Sequence, residues 1–598
     1  MRAKMKSVSA ILGVSTFAFG AMVVASACTS DRTKFDATNP PPLGSDDAGE
    51  TCRETARCSP DLKQVIRQHC DGTEEAMPCG PGLGCGDGEC VDACKSAELS
   101  KGSIGCSFAT LPPDEAGGAA GSCFAAMIAN VWDRPVKLQA TLGADAIDLG
   151  HSVFYAETSG PTTEYTPVGE AIEPGKVAIV FLAGADSPPG DAHGFVNCPF
   201  GILPAVRRDP LAHKTARTQA FRLTTDTPVS AYSIWPYGGA RSATPSAMVL
   251  LPTSSWGKNY LAVSTWNPSP GAPNIQIVAA EDNTVVKMRP NVDLIGGVGV
   301  PGIAAGQTQT WTLGRGEVVQ ITQRADTSGS PIEADKPIGL FGGSECTYLM
   351  GSACDVTQQQ IAPVSEWGSS YALVPWRPRT GPGVGTTTDR ETLPWRFVGA
   401  ANGTKLTYDP ATPGGAPETL EAGQVVSFVA NDVMTVRSQD DQHPFYAGMF
   451  MTGGEPIAQK THGPAIGDPD FVNVVPSEQF LDRYIFYVDH TYPESTLTFV
   501  RRKTPTGFKP VTLECAGEIT DWQPLGRSGE YEFAWVYLTK DGLPQTFAGG
   551  ACGYGRHEAR SEGSFAVYVW GTAAYASYGY AGGMGSRPLS DVKGPSVH

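Results

Sequence analysis

The sequence predicts an all-β protein: tandem β-sandwich-like repeats of about 110 residues, preceded by a small disulfide-rich module. Three observations predict it. Between Cys123 and Gly585, short apolar or alternating runs recur every 8–15 residues, separated by Gly, Pro, Asn and Asp. Examples are Asn274–Ala279, Thr284–Met288, Glu317–Thr322 and Thr496–Val500, each with the pattern of a strand. No long run places apolar residues at helical spacing, and Gly and Pro make up about a fifth of the 598 residues, which disfavours helix. One set of residues also recurs at fixed offsets. Pairs of β-propeller blades are the alternative, because blades recur at roughly 40–50 residues.

The chain opens with Arg2, Lys4 and Lys6. A charge-free apolar stretch follows from Ser7 to Ala27 and ends Ala25-Ser26-Ala27-Cys28. A basic start, an apolar segment and small residues before a Cys describe a lipoprotein signal peptide over 1–27, with Cys28 as the lipidated first residue of the mature chain. An uncleaved membrane helix is the rival reading. Thr29 follows, where an Asp would signal inner-membrane retention, so the outer membrane or cell surface is expected. Residues 28–51 are polar and Pro-rich and read as a disordered tether. Residues 52–110 form a Cys-rich disulfide module, with eight Cys between Cys52 and Cys106. So short a segment cannot bury much core, and bridges would supply its stability. Zinc is the lesser reading, since no His sits at finger spacing beside Cys85, Cys90 and Cys94. Residues 111–122 read as a linker. Four β repeats are expected at 123–249, 250–360, 361–474 and 475–585, and a C-terminal tail at 586–598.

The repeat is defined by Pro252, Trp256, Gly257, Tyr260 and Val263. Pro363, Trp367, Gly368, Tyr371 and Val374 keep the same offsets, and Pro476, Phe480, Leu481, Tyr484 and Tyr487 form a degenerate copy. A second element precedes each: Asp226-Thr-Pro228, Asp335-Lys-Pro337 and the weaker His443-Pro444. Asp and Pro there are expected to set a turn, after which alternating apolar residues enter the core. The repeated aromatics read as loop anchors, with a ligand cage as the lesser reading. In the last repeat, Phe565, Val567 and Val569 alternate with Ala566, Tyr568 and Trp570. Both faces are apolar, so an interior strand is expected in preference to an aromatic platform for sugars. The next run, Tyr575 to Tyr580, is expected to be more exposed.

The formal charge is −17, and −20 without the three cations of the signal segment. A chain this acidic lacks the basic footprint of a nucleic-acid binder. It contains no Gly-x-Ser-x-Gly elbow, no His-Glu-x-x-His, no phosphate loop and no dinucleotide fingerprint. His151, His193, His213, His443, His462 and His490 fall mostly in Gly/Pro/Asp-rich loops, and His557-Glu558 has no second His nearby. Asp440-Asp441 and Glu74-Glu75 lack ordered calcium-ligand spacing. No catalytic residue, metal or cofactor is assigned. Two distant carboxylates would leave no sequence pattern, so a secreted or surface hydrolase of glycosidase type is the alternative function. One basic cluster stands out: Arg207, Arg208, His213, Lys214 and Arg217, with Arg222. It is a candidate anion or glycan site, against the plainer reading of a solvated loop.

The segment Pro337-Ile-Gly-Leu-Phe-Gly-Gly-Ser-Glu-Cys346, followed by Cys354-Asp355-Val-Thr-Gln-Gln-Gln-Ile-Ala-Pro363-Val-Ser-Glu-Trp367-Gly368, resembles the IgGFc-binding protein N-terminal domain family, in its bacterial lipoprotein members. Val356 stands where that family has His. The resemblance runs from about Phe221 to Gly454 and more weakly to Gly585, and leaves out the Cys-rich module. It implies a binding or adhesion role toward an extracellular ligand, a glycan or a surface protein, and no known enzyme activity. It does not imply that this chain binds antibodies. In its motif Cys346 and Cys354 flank an eight-residue turn, which implies that they pair. Cys123 with Cys198, and Cys515 with Cys552, would then let the first and last repeats close their own bridges.

Overall fold

The computed structural model describes residues 54–597, apart from positions 60, 116–117, 160–161, 187–193, 243, 267–270, 352, 380–390, 457 and 459–464. The expected signal peptide, Cys28, the tether, Cys52, His193 and His462 lie outside the described residues. No helix among the described residues is long and apolar enough to cross a membrane.

The fold is all-β. Its N-terminal module holds a three-stranded sheet (Thr55–Cys58, Gln64–Gln68, Glu74–Pro78), a two-stranded one and the short helix Ala93–Ser100. The body follows as four successive stretches of sheet. The first has nine strands, from Ile104–Thr110 to Ser246–Leu250. The second has eight, from Ala216–Gln219 to Asp355–Ile361. The third is divided, chiefly into a four-stranded sheet containing Leu393–Gly399, Phe445–Met451 and Asp470–Asn473 and a three-stranded sheet containing Ser370–Leu373 and Met434–Arg437. The fourth has ten, from Leu481–Val488 to Ala576–Ala581.

One plan runs through them. In the first, second and fourth stretches a short strand pairs antiparallel with a long one: Ile104–Thr110 with Phe221–Trp235, Gly257–Leu261 with Pro331–Thr347, and Leu481–Val488 with Gly555–Ala573. Each ladder slips register part-way along. The elements Asp226–Pro228 and Asp335–Pro337 sit at these slips, the first between Thr224 and Val229 and the second opposite the Gly257/Asn259 irregularity. They are bulges inside continuous strands, which corrects the expected turn. Proline cannot donate to a ladder and is tolerated where pairing is already broken. In the third stretch the long strand is cut into Met434–Arg437 and Phe445–Met451, and His443-Pro444 lies in the cut.

The strand returning from each long strand is buried: Ser246–Leu250, Asp355–Ile361, Asp470–Asn473 and Ala576–Ala581. Each packs on the next, and the last packs on the first, closing a ring. Buried amides stitch it together. Gln359 Nε2 donates to Ala247 O at 2.9 Å and to Gly579 O at 3.2 Å, Gln360 Oε1 accepts from Leu251 N at 2.7 Å, and Asn473 Nδ2 donates to Gln360 O at 2.8 Å. The Gln358–Gln360 run thus satisfies backbone groups that the short central strands leave unpaired.

The sheets stack face to face around this ring, and each neighbouring pair shares a core. Trp256 and Phe341 join the first core with Phe124, Phe221 and Trp235. Tyr260 and Ile277 meet Phe450 and Phe471 in the second. Trp376, Trp395 and Phe445 meet Tyr568 and Trp570 in the third. Tyr232 and Phe181 meet Phe486, Phe565 and Tyr580 in the fourth. Phe565, Val567 and Val569 face one core while Ala566, Tyr568 and Trp570 face another, as their alternation predicts. The following run departs from expectation. Ala576–Ala581 is wholly buried and only Tyr575 is exposed, because this strand is part of the ring and has protein on both sides.

Disulfides join Cys58 to Cys85, Cys79 to Cys90 and Cys94 to Cys106 in the N-terminal region, where Cys70 is also disulfide-bonded. Cys123 is bonded to Cys198, Cys346 to Cys354 and Cys515 to Cys552. Cys106 lies in the first strand of the body, so the Cys94–Cys106 bond ties the helix to the first sheet. Leu111 to Glu115 are buried, although they open the stretch expected to be a linker. The C-terminal segment lies back along the body: Leu589 N donates to Ser365 O at 2.7 Å, and Thr308 Oγ1 donates to Val597 O at 2.5 Å.

Candidate binding site

The repeated motif is a joint between neighbouring sheets. Each proline opens a single 3-10 turn: Pro252 before Thr253–Ser255, Pro363 before Val364–Glu366, and Pro476 before Ser477–Gln479. Its fixed φ presets the turn and its missing N–H costs nothing there. The tyrosine then latches the turn. Tyr260 Oη accepts from Gly257 N at 3.0 Å and donates to Ile338 O at 2.7 Å. Tyr371 repeats this with Gly368 N at 3.1 Å and Phe445 O, and Tyr484 with Leu481 N at 2.8 Å and Phe565 O at 2.6 Å. The aromatics are therefore anchors, not a cage.

The prolines and glycines pack on one another across joints. A Cβ on Gly257 would collide with Pro363, and one on Gly368 with Pro476. Gly105 is covered by Pro252 in the same way. Gly105 thereby reveals a copy that the sequence reading missed: Ser100, Ile104, Gly105, Phe108 and Leu111 hold the offsets of Pro252, Trp256, Gly257, Tyr260 and Val263. The signal was faint, because Ser, Ile, Phe and Leu replace Pro, Trp, Tyr and Val.

Three joints are plugged by proline on glycine. The fourth, where the last sheet meets the first, is built differently. Ser100 stands at the proline position and Leu481 at the glycine position. A hollow of about 240 Å³ opens there, lined by Leu62, Ile104, Leu481, Tyr484 and Ile485 with Ser100 at its edge. It continues into a wider groove bordered by Asp61, Gln64, Arg483, Arg560 and Glu562. Asp482 lines both. Partial burial raises its pKa against the opposing charge of Arg483, and no salt bridge reaches it among the described residues. Its neighbour Arg483 is already committed to Glu558 at 2.9 Å.

The basic cluster is brought only partly together, and most of its charge is spent internally. His213 sits between Asp114 and Asp209, 2.8 Å from each, and these contacts hold its pKa up to about 10. Lys214 pairs with Glu345 and Arg217 with Glu317 at 2.5 Å. Arg222 Nε donates to Ser107 Oγ at 3.3 Å. Arg207, Arg208 and Lys214 are exposed, Arg207 lying 3.9 Å from Asp186. Elsewhere, Asp440 holds His443, and Glu74 and Glu75 meet Arg57 and His69. Glu514, Cys515 and His557 come close enough to suggest a metal centre. Cys515 is bonded to Cys552, so its sulfur is not the thiolate that a metal would need.

A family model described as IgGFc binding protein matches residues 246–571. No curated protein and no solved structure matches the chain.

Proposed function

Since the chain belongs to the IgGFc binding protein family, we propose that it is a cell-surface lipoprotein, anchored through Cys28, whose β body binds an extracellular protein ligand at the seam between its first and last sheets. Domains of this family are extracellular binding modules, which supports a binding rather than a catalytic role. The observation that carries the choice of site is the fourth joint. It alone among the four lacks the proline-on-glycine plug, and the hollow it leaves, about 240 Å³ beside Asp482, is far larger than the cavity of about 30 Å³ beside Glu366 and Pro476 at a plugged joint. Nothing at this seam is particular to an antibody, so the ligand named in the family description is not carried over. The basic cluster is the weaker choice, since His213, Lys214 and Arg217 already have acidic partners.

The test is hydrogen exchange on the detergent-solubilised full chain with a ligand identified from an extracellular-protein array. Protection of Leu481–Ile485 and of Ile104 is expected. A ligand that protects only other surfaces overturns the choice of site. Cys28→Ala should move the chain from the detergent to the aqueous phase, and retention in detergent would overturn the anchor.

A further inference from the structure

Resting on that reading of the seam, we propose that the ligand enters the hollow with an extended, proline-bearing segment whose neighbouring residues are cationic. The first argument is the molecule's own repetition. At three joints the space between successive motifs is filled by a proline ring, from Pro252, Pro363 and Pro476, set against a glycine. At the fourth the same elements meet, but the residue in the proline's place is Ser100, and about 240 Å³ is left open. The walls are those that receive proline elsewhere: the motif aromatic (Tyr484, as Tyr260 and Tyr371) and apolar side chains from the flanking strands. Leu481 replaces the glycine, so the hollow is set back from the backbone and is reached from the groove side. An exposed apolar hollow of this kind is stabilised by an apolar ring, and a prolyl segment loses little entropy on docking because its φ is already fixed.

The second argument is charge. The groove that leads into the hollow carries Asp61, Asp482, Glu558 and Glu562 against Arg483 and Arg560. Glu558 is held by Arg483 and Arg556, and Glu562 lies 3.9 Å from Lys509. Asp61, held by Ser59 Oγ and Lys63 N, and Arg560 have no ion-pair partner among the described residues, and Asp482 stands half-buried at the lip where hollow and groove meet, its ionised form penalised by desolvation that the charge of Arg483 only partly offsets. A Lys or Arg next to the docking proline would give Asp482 the direct ion pair that Arg483, bonded to Glu558, does not form, and the pairing would weaken with salt. An acidic segment would be repelled.

The experiment uses the full chain in detergent and fluorescein-labelled octapeptides with a central Pro-Leu-Lys-Arg. Controls replace Pro by Gly, or Lys-Arg by Glu-Glu. Polarisation should show binding of the first peptide, weakened about tenfold by each control and weakened by salt. Two variants place it. Asp482→Asn should weaken binding about tenfold and remove most of the salt dependence. Ile104→Trp installs the side chain found at Trp256 and Trp367, fills the hollow and should abolish binding while the melting curve stays cooperative. If Ile104→Trp fails to fold, cross-linking of a photo-labelled peptide to Leu481–Ile485 decides the location instead. Failure of every prolyl peptide to bind, or binding untouched by both variants, overturns the proposal. So does a neutral oligosaccharide that protects the seam in the peptide's place. A protein ligand that protects the seam without competing with the peptide leaves the binding reading standing and removes only this deepening of it.

Discussion

The three plugged joints and the open one are built from the same motif, and their difference separates what holds the ring together from what is free to bind. At Gly257 and Gly368 the chain gives up a side chain so that the next sheet's proline can approach the backbone. At Leu481 it keeps the side chain and leaves a hollow. The N-terminal module sits at that same place, with Cys58, Ser59 and Leu62 against the hollow. The seam is therefore where the ring's two ends and its disulfide module converge.

The comparison can be broken most forcefully inside the shared cores. Trp570 is buried in the core between the third and fourth sheets, 5.4 Å edge-on to Trp376. Trp570→Ala should destabilise by about 3–5 kcal/mol, seen as a lower denaturant midpoint. Cores shared between sheets mean that the loss should melt the whole body in one transition. A separate early transition of the last sheet alone would show that the units are independent. At the joints, Gly368→Ala should cost about 2–4 kcal/mol by forcing Pro476 away. Leu481→Ala at the open joint should cost less, about 1–2 kcal/mol, because the hollow is already there. Equal costs would mean that the two kinds of joint do not differ.

A pH scan sharpens the contrast between ring positions. Asp355 and Asp468 each stand eight residues before a motif proline, where the Pro252 copy has Thr244. Both are buried, with carboxylate oxygens lacking hydrogen-bond partners, and Asp470 lies buried beside them. Desolvation pushes the pKa of Asp468 up to about 7, with Glu455 adding to it, and raises those of Asp355 and Asp470. A carboxyl whose folded pKa is raised binds its proton more tightly in the folded chain. Its stabilising effect is complete below about pH 4 and is lost as pH rises through about 7. Asp468→Asn should remove roughly 2–3 kcal/mol of that loss, flattening stability against pH between these limits. An unchanged slope in Asp468→Asn would show that this carboxyl is not the group that titrates.

Much of this was legible in the sequence, and the misses have physical causes. Strand periodicity and the Pro-Trp-Gly-Tyr offsets are local, so the all-β body and three motif copies could be read directly. The alternation at Phe565 to Trp570 even separated residues of two different cores. Ring closure left no local trace, because it depends on Ala576–Ala581 meeting Ser246–Leu250 across more than half the chain. The same distance explains the basic cluster: Lys214 and Arg217 find Glu345 and Glu317, which no window around residue 213 contains. The open joint was hidden because its motif copy keeps only the glycine of the five defining residues.

The smallest expected effect tests the joint's latch rule. In three copies the tyrosine hydroxyl donates to the carbonyl of the residue paired opposite the motif's glycine position: Ile338 opposite Gly257, Phe565 opposite Leu481, and Phe445 beside Gly368. Tyr371→Phe should therefore cost about 1–2 kcal/mol, since it strands a buried N–H and a buried carbonyl together. The missed first copy has Phe108 at the tyrosine position, and Gly105 pairs with Val229 as Gly257 pairs with Ile338. Phe108→Tyr would place a hydroxyl toward the Val229 carbonyl. The rule predicts a gain of about 0.5–1 kcal/mol, or no change if the buried site resists the extra atom. A loss of more than about 2 kcal/mol would mean that a buried hydroxyl found no partner there. The first copy would then share the motif's spacing without its latch, and the seam would differ from the other joints on both of its sides.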